Sequence, residues 1–277
     1  MKILSGIEFA EAKKKQIASE VGLLKHQGMS PELVVLQVGN DGASDTYIKQ
    51  KIKYGKDVGV VVKHIKFGES ITTESLVHFV QGLNVPMIVQ LPLPNHIDTR
   101  KVLEAVKPHL DVDGFTTENM GKLLTGQDGL QSCTPKGIIE ILEHYNINFE
   151  GKHCVIVGRS DIVGKPIAMM MLHKNCTVTI CHSKTKNLKD ITSQADILVV
   201  AMGKAEYITA EYVKEGSVVV DVGIHRTSEG KIVGDVKFDD VVSKVDAITP
   251  VPKGIGRCTV AMLFDNVVKS YKKQVTI

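Results

Sequence analysis

Long apolar runs are missing from this sequence, and none approaches the length needed to cross a bilayer. The N-terminal stretch MKILSGIEFAEAKKK has no apolar signal region. It also lacks the arginine-rich, acid-poor character of a transit peptide. These absences lead to the expectation of a cytoplasmic protein with no membrane partner. Charge of one sign is also not in excess: 34 Lys and Arg stand against 31 Asp and Glu, for a net charge of +3. The basic residues are scattered, apart from SDTYIKQKIKYGKDVG and a short KSYKKQ near the end. Nucleic acid is therefore not an expected partner. Cysteine is sparse and its spacing is uninformative. The five residues Cys133, Cys154, Cys176, Cys181 and Cys258 form no C-x-x-C pair. No Cys/His spacing supports zinc, so no metal is expected. Cys154, Cys176 and Cys181 lie in or beside apolar runs and read as reduced core thiols. Internal repeats and low-complexity segments are absent.

What is present points to α/β architecture. A chain of 277 residues, 43% hydrophobic and 23% charged, suits one large or two ordinary globular domains with a substantial core. ELVVLQVG (32–39), VGVVVKHIKF (58–67) and VPMIVQLPL (85–93) read as buried strands, with helical periodicity between them. The Gly-, Asp- and Thr-rich stretch 108–133 marks a junction. TPKGIIEILEHYN (134–146) reads as a helix, with Pro135 in its first turn where a missing N–H costs little. A second strand series follows: HCVIVG (153–158), TVTICH (177–182), DILVVAM (196–202) and SVVVDVG (217–223). The last helix, 259–273, is expected to return to the first domain. The expectation is thus two α/β domains with largely parallel sheets: 1–119 completed by 259–277, and a Rossmann-like domain over 120–258. Ligands of such proteins bind in the cleft between the domains or at the strand C-termini.

GKHCVIVGRSDIVGKPIAMMMLHKN is strand, glycine turn and helix. Gly158 and Gly164 bracket Arg159 and Ser160, but the spacing is not G-x-G-x-x-G. The turn alone is equally compatible with an ordinary βα connection. The next strand ends in His182, Ser183, Lys184 and Thr185, with no carboxylate for a ribose 2′-OH. Arg159 with Ser and Lys suits a 2′-phosphate, so the residues favour NADP over NAD.

The lysine-dense run separates on a helix. At about 100° per residue, Ser44, Tyr47, Lys51, Tyr54 and Val58 share one sector, while Lys49, Lys53 and Lys56 collect opposite. A lysine on the apolar side either snorkels or lines a shielded pocket where its pKa falls. Spacing alone favours snorkelling. Gln90, in VQLPLP, sits at a strand C-terminus with its amide available. Asp111 and Asp113, in DVDGFT, read either as Asx-type turn residues or as a ligand-binding carboxylate, and spacing alone favours the turn.

TYIKQK, VQLPLP, DVDGFT, CTPKGI, GRSDIVGKP, TVTICHSKT, VDVGI and TPVPKGIG occur in this order. Together they resemble the bifunctional methylenetetrahydrofolate dehydrogenase/cyclohydrolase family over essentially the whole chain. The resemblance is to the short form without a synthetase extension. It implies two α/β domains with a folate cleft, a homodimer, NADP, and tetrahydrofolate substrates of one-carbon metabolism feeding purine synthesis. It implies that Lys51 is the catalytic lysine and that Gln90 hydrogen-bonds near it. Asp113 would anchor the pterin, and Tyr47 would stack on the aminobenzoyl ring. Val89 and Leu91, flanking Gln90, and Pro252, Gly254 and Gly256 are implied as folate contacts. Gly158, Arg159, Ser160, Ser183 and Ile224 are implied as NADP contacts. The loop PKGIGR departs from the family's P-G-G-V-G-P: Lys253 replaces a glycine and Arg257 a proline. A positive φ at 253 would then be costly. That departure leaves open a dehydrogenase without cyclohydrolase activity. A non-catalytic folate- or nucleotide-binding protein is the alternative of another class.

Overall fold

The computed structural model describes residues 1–275. In chain order the first elements are β1 (Lys2–Ile3), α1 (Gly6–His26), β2 (Glu32–Val38), α2 (Gly42–Val58), β3 (Val61–Phe67), α3 (Thr73–Gly82) and β4 (Met87–Val89). Then come α4 (Thr99–Glu104), α5 (Thr117–Leu124), α6 (Cys133–His144), β5 (His153–Val157), α7 (Gly164–His173), β6 (Thr177–Cys181) and α8 (Leu188–Thr192). The remainder are β7 (Ile197–Val200), β8 (Val218–Asp221), β9 (His225–Arg226), β10 (Ile232–Val233), α9 (Phe238–Val241), β11 (Ala247–Ile248) and α10 (Ile255–Val275). No described helix is long and apolar enough to cross a membrane.

The chain divides into two compact units, one of residues 12–133 and 260–277, the other of 1–11 and 134–259. Against the expected 119/120 junction, this division falls later, and the first eleven residues join the second series. Two local interactions account for the difference. Asp111 accepts a hydrogen bond from the Asn119 side chain at 3.1 Å, which ties α5 to the strand series before it. At the other end β1 pairs in parallel with β11, Lys2 opposite Ala247.

In the unit of 12–133 and 260–277, β3, β2 and β4 form a parallel sheet in that order. β2 is central and buried over all but its first residue. β3 differs from the expected buried strand: it is an edge, largely exposed, and begins only at Val61. Residues 58–60 are used otherwise. Val58 closes α2, and Gly59 at φ +83° returns its N–H to Gly55 and Lys56 carbonyls as a left-handed cap. At the other end of α2 the Asp41 carboxylate accepts from Ser44 N at 2.7 Å, an N-cap contribution of about 1 kcal/mol. Gly55 lets α2 lie close on the sheet, since a Cβ there would fall 2.4 Å from Val62 Cγ2. The second half of α10 returns to this unit as expected, stacking Phe264 on Tyr54 at 5.0 Å.

In the other unit the sheet runs β1-β11-β8-β7-β5-β6, and every pairing in it is parallel. Its central strands are continuous apolar runs, as a sheet covered on both faces requires. β9 and β10 form a separate antiparallel ribbon after β8. All five cysteines are buried free thiols.

Candidate active site

Lys51 lies in the third turn of α2, half-buried, while Lys49, Lys53 and Lys56 are exposed. Its head group turns inward to Gln90 rather than out to solvent. Its Nζ donates to Gln90 Oε1 at 2.7 Å. Gln90 stands just past β4, where its main-chain N–H donates to Leu36 O at 2.8 Å. Its Nε2 donates to Leu91 O at 2.9 Å, so the amide oxygen is the end facing Lys51. Burial holds the Lys51 ammonium below the ordinary lysine range, opposed by the nearby Asp113 carboxylate and, less, by Cys133. An amide oxygen accepts from an ammonium, more strongly, and still accepts from a neutral amine. Lys51 can therefore lose a proton without losing Gln90, and its lone pair is then free.

The two carboxylates of DVDG divide the two readings between them. Asp111 is buried and is the turn residue: it accepts from Gly114 N at 3.0 Å, Thr116 N at 2.8 Å and Asn119 Nδ2 at 3.1 Å. Asp113 takes part in none of these bonds. Burial pushes its carboxyl up to about 6, with Lys51 opposing and Asp111 adding to the rise. The Cys133 thiol, which donates to Val112 O at 3.2 Å, acts weakly to lower it. Tyr47, one turn before Lys51, presents a ring that is 38% exposed. Val89 is only 2% exposed and belongs to the sheet core, so it can meet a ligand through its main chain alone. Leu91 packs partly against that same core.

The remaining predicted residues belong to the other unit. Gly158 ends β5 at φ +139°, and a Cβ there would sit 2.3 Å from Ala201 O. Gly164 opens α7 so close to the turn that its Cβ would fall 2.4 Å from Gly158 O. These are the two demands of a phosphate-binding βα turn: close backbone approach and tight helix packing. Arg159 and Ser160 are exposed at this turn, and Ser160 Oγ accepts from Val163 N and Gly164 N. Ser183 is exposed in the turn closed by Thr185 N donating to His182 O at 2.8 Å. The donors present, and the absence of a carboxylate at the end of β6, fit a phosphorylated dinucleotide. Ile224 is 50% exposed, and Gly256 lies against it. Gly254 is buried, Pro252 and Arg257 are exposed, and Lys253 adopts φ +85°.

Sequence reasoning missed the supports. Asp235, fully buried, accepts from Met202, Gly203 and Lys204 N–H groups and lies 2.7 Å from His225 Nε2. Asp221 in turn accepts from Gly223, Asp235 and Val236 N–H groups. Together they fix the loops beyond the C-termini of β7 and β8, including the Gly223 backbone and the His225 side chain that flank Ile224. The only sequence sign was a pair of aspartates beside glycines, Asp221 before Gly223 and Gly234 before Asp235. Cys133, beside Asp113, carried no sign beyond its place in CTPKG.

A parallel sheet with a glycine turn, and a second unit bearing a half-buried lysine–glutamine pair, define a two-domain nucleotide-dependent α/β enzyme. Comparisons narrow this class. The model of the tetrahydrofolate dehydrogenase/cyclohydrolase catalytic domain matches residues 4–113. That of the corresponding NAD(P)-binding domain matches 132–275. The bifunctional protein FolD of Bacillus cereus is 47% identical over 98% of this chain and 96% of its own length. The crystal structure of the bifunctional FolD dehydrogenase/cyclohydrolase of Campylobacter jejuni superposes with a TM-score of 0.97 at 42% identity, covering 99% of each chain. The Trypanosoma brucei methylenetetrahydrofolate dehydrogenase-cyclohydrolase, complexed with NADP and an inhibitor, superposes at 0.93 with 32% identity over 99% of this chain and 98% of that one. The chain belongs to the tetrahydrofolate dehydrogenase/cyclohydrolase family.

Proposed function

We propose that this protein oxidises 5,10-methylenetetrahydrofolate to 5,10-methenyltetrahydrofolate with NADP, and hydrolyses the product to 10-formyltetrahydrofolate. The observation that carries the reading is the 2.7 Å bond from Lys51 to Gln90 with Asp113 close by, in a chain whose other unit carries the Gly158 turn.

When bound, NADP supplies the hydride acceptor for the first step. The folate nitrogens themselves carry the positive charge that develops on the one-carbon unit, so no protein base is needed there and positioning dominates. Arg159, Ser160 and Ser183 offer donors for the cofactor's phosphates beside Gly158, and Ile224 offers an apolar contact. Asp113 is suited to accept hydrogen bonds from the amino-pyrimidine edge of the pterin. Tyr47 is suited to stack on the aminobenzoyl ring. In this reading Leu91 and the main chain of Val89 line the folate.

The second step requires proton transfers. Addition of water to the methenyl carbon releases one proton. Ring opening then breaks a carbon–nitrogen bond while the carbinol proton moves to the departing nitrogen. Lys51, held below its ordinary pKa by burial, gains and loses a proton without surrendering its bond to Gln90. A cationic substrate lowers the lysine further. Both carboxylates of DVDG are then accounted for, one in the turn and one at the substrate.

The reading extends to a homodimer in the cytoplasm serving purine synthesis. Five buried free thiols accord with a reducing compartment. A coupled assay tests the function: methylenetetrahydrofolate with NADP⁺ or NAD⁺ in parallel, following both reduced cofactor and formyl product. Reduced cofactor without formyl product would leave a dehydrogenase alone. Folate binding without either product would leave a binding protein.

A further inference from the structure

The C-terminal helix α10 contributes a buried amide to the unit that holds Lys51. Asn266 is fully buried on it. Its Nδ2 donates to Val112 O at 2.9 Å and to Gln131 O at 2.8 Å, and lies 3.7 Å from Cys133 Sγ. These two bonds use both amide hydrogens. Their acceptors are more than 100 residues away in sequence and belong to the two loop segments that meet beside Lys51. Val112 O is the carbonyl of the peptide that leads into Asp113. Gln131 lies two residues before Cys133, whose thiol donates to Val112 O at 3.2 Å and bears on the titration of Asp113.

We propose that Asn266 is a positioning residue for the folate chemistry: its amide locks the Val112 and Gln131 carbonyls together and thereby holds Asp113 and Cys133 at fixed places beside Lys51. The inference rests on the reading of Lys51 and Asp113 given above. A peptide plane held through its carbonyl fixes the backbone on both sides of it, so Asp113 leaves that plane in one direction. Without the clamp, two carbonyls lose a donor and the loop is free to rotate Asp113 away. An asparagine that merely satisfied buried carbonyls would affect stability and nothing else. One that sets the Asp113–Lys51 separation also changes how Lys51 titrates, because Asp113 is the main charge favouring its protonated form.

The test uses Asn266→Leu, of similar volume without donors, and Asn266→Ser, a milder change that keeps one donor should the leucine variant fail to fold. Lys51 is followed by NMR in lysine-labelled protein, its signal assigned by its loss in Lys51→Met. The expected result is a fall in the Lys51 titration midpoint as Asp113 moves off. The acid limb of the cyclohydrolase pH profile should move to lower pH with it. Its kcat/KM should drop by roughly 10- to 100-fold, the scale of a misplacement of about 1 Å. A variant that melts earlier yet keeps the wild-type Lys51 midpoint and pH profile would make Asn266 purely structural and overturn the proposal. Lys51→Met separates this from failure of the functional reading. If that variant keeps cyclohydrolase activity, Lys51 is not the proton carrier, while the NMR midpoint still decides the role of Asn266.

Discussion

Lys51 Nζ and Gln90 Oε1 are joined by a 2.7 Å hydrogen bond between the third turn of α2 and the end of β4. An amide oxygen can accept from the amine in either protonation state, so Gln90 can orient the lysine through a proton transfer. Lys51→Met keeps the packed stem and removes the proton carrier. Its cyclohydrolase kcat should fall by about 10²- to 10⁴-fold, the usual weight of general acid–base catalysis. Circular dichroism and melting temperature should stay near wild type. A wild-type rate of methenyltetrahydrofolate hydrolysis would remove Lys51 from the mechanism.

How far this pair could be read in advance depends on the range of the forces involved. The sector containing Ser44, Tyr47, Lys51 and Tyr54 follows from helical pitch alone, and Ser44 and Tyr54 are indeed buried. Periodicity is a local property, so it was legible. Whether Lys51 snorkels or turns inward is not local, because it depends on Gln90, 39 residues on. Only the resemblance pointed to that outcome. Asp111 and Asp113 look alike in DVDG, and the bonds that separate them reach as far as Asn119. The Asn266 clamp spans 154 residues and has no local signature at all. Strand edges were the other gap: β3 has the composition of a buried strand but has no strand beyond it, so its residues stay exposed.

Arg159 is exposed beside Gly158, and no carboxylate ends β6. A 2′-phosphate would gain a charge-assisted bond that a 2′-OH cannot make. Arg159→Ala should therefore weaken NADP⁺ by about tenfold to 100-fold, from the 1.5–3 kcal/mol typical of such bonds, and leave NAD⁺ nearly unchanged. KM measured for both cofactors decides it, and equal losses would move the phosphate contact elsewhere.

The two aspartates should respond to mutation in opposite ways. Asp111→Ala strips an acceptor from Gly114 N, Thr116 N and Asn119 Nδ2, and should cost about 3 kcal/mol or more in denaturant unfolding. Asp113 is raised from 3.8 to about 6, mainly by burial. Its folded state holds the proton more tightly than the unfolded chain does. Its contribution to stability is thus greatest below the unfolded value and is lost as pH rises through about 6. Asp113→Asn should remove that slope and stabilise the protein at pH near 8 by at most about 3 kcal/mol, while weakening folate binding. Unfolding free energies at several pH values compare the two. A variant at 113 with the same pH dependence as wild type would refute the assignment.

Lys253 occupies φ +85°, at the position where the resemblance implied a glycine. A side chain in the left-handed region costs about 1–2 kcal/mol relative to an ordinary backbone conformation. Nothing local relaxes it, because the carbonyl of Lys253 accepts from Gly6 N at 2.9 Å. The next residue, Gly254, is wedged so that a Cβ would lie 2.3 Å from Pro250 O. Lys253→Gly removes the steric cost but adds unfolded-state freedom worth about 0.5–1 kcal/mol. The net expectation is a gain of up to about 1 kcal/mol. Lys253→Ala keeps the Cβ and should gain nothing. Melting temperatures of the two variants decide it: a gain for Lys253→Ala equal to that for Lys253→Gly would refute the steric account.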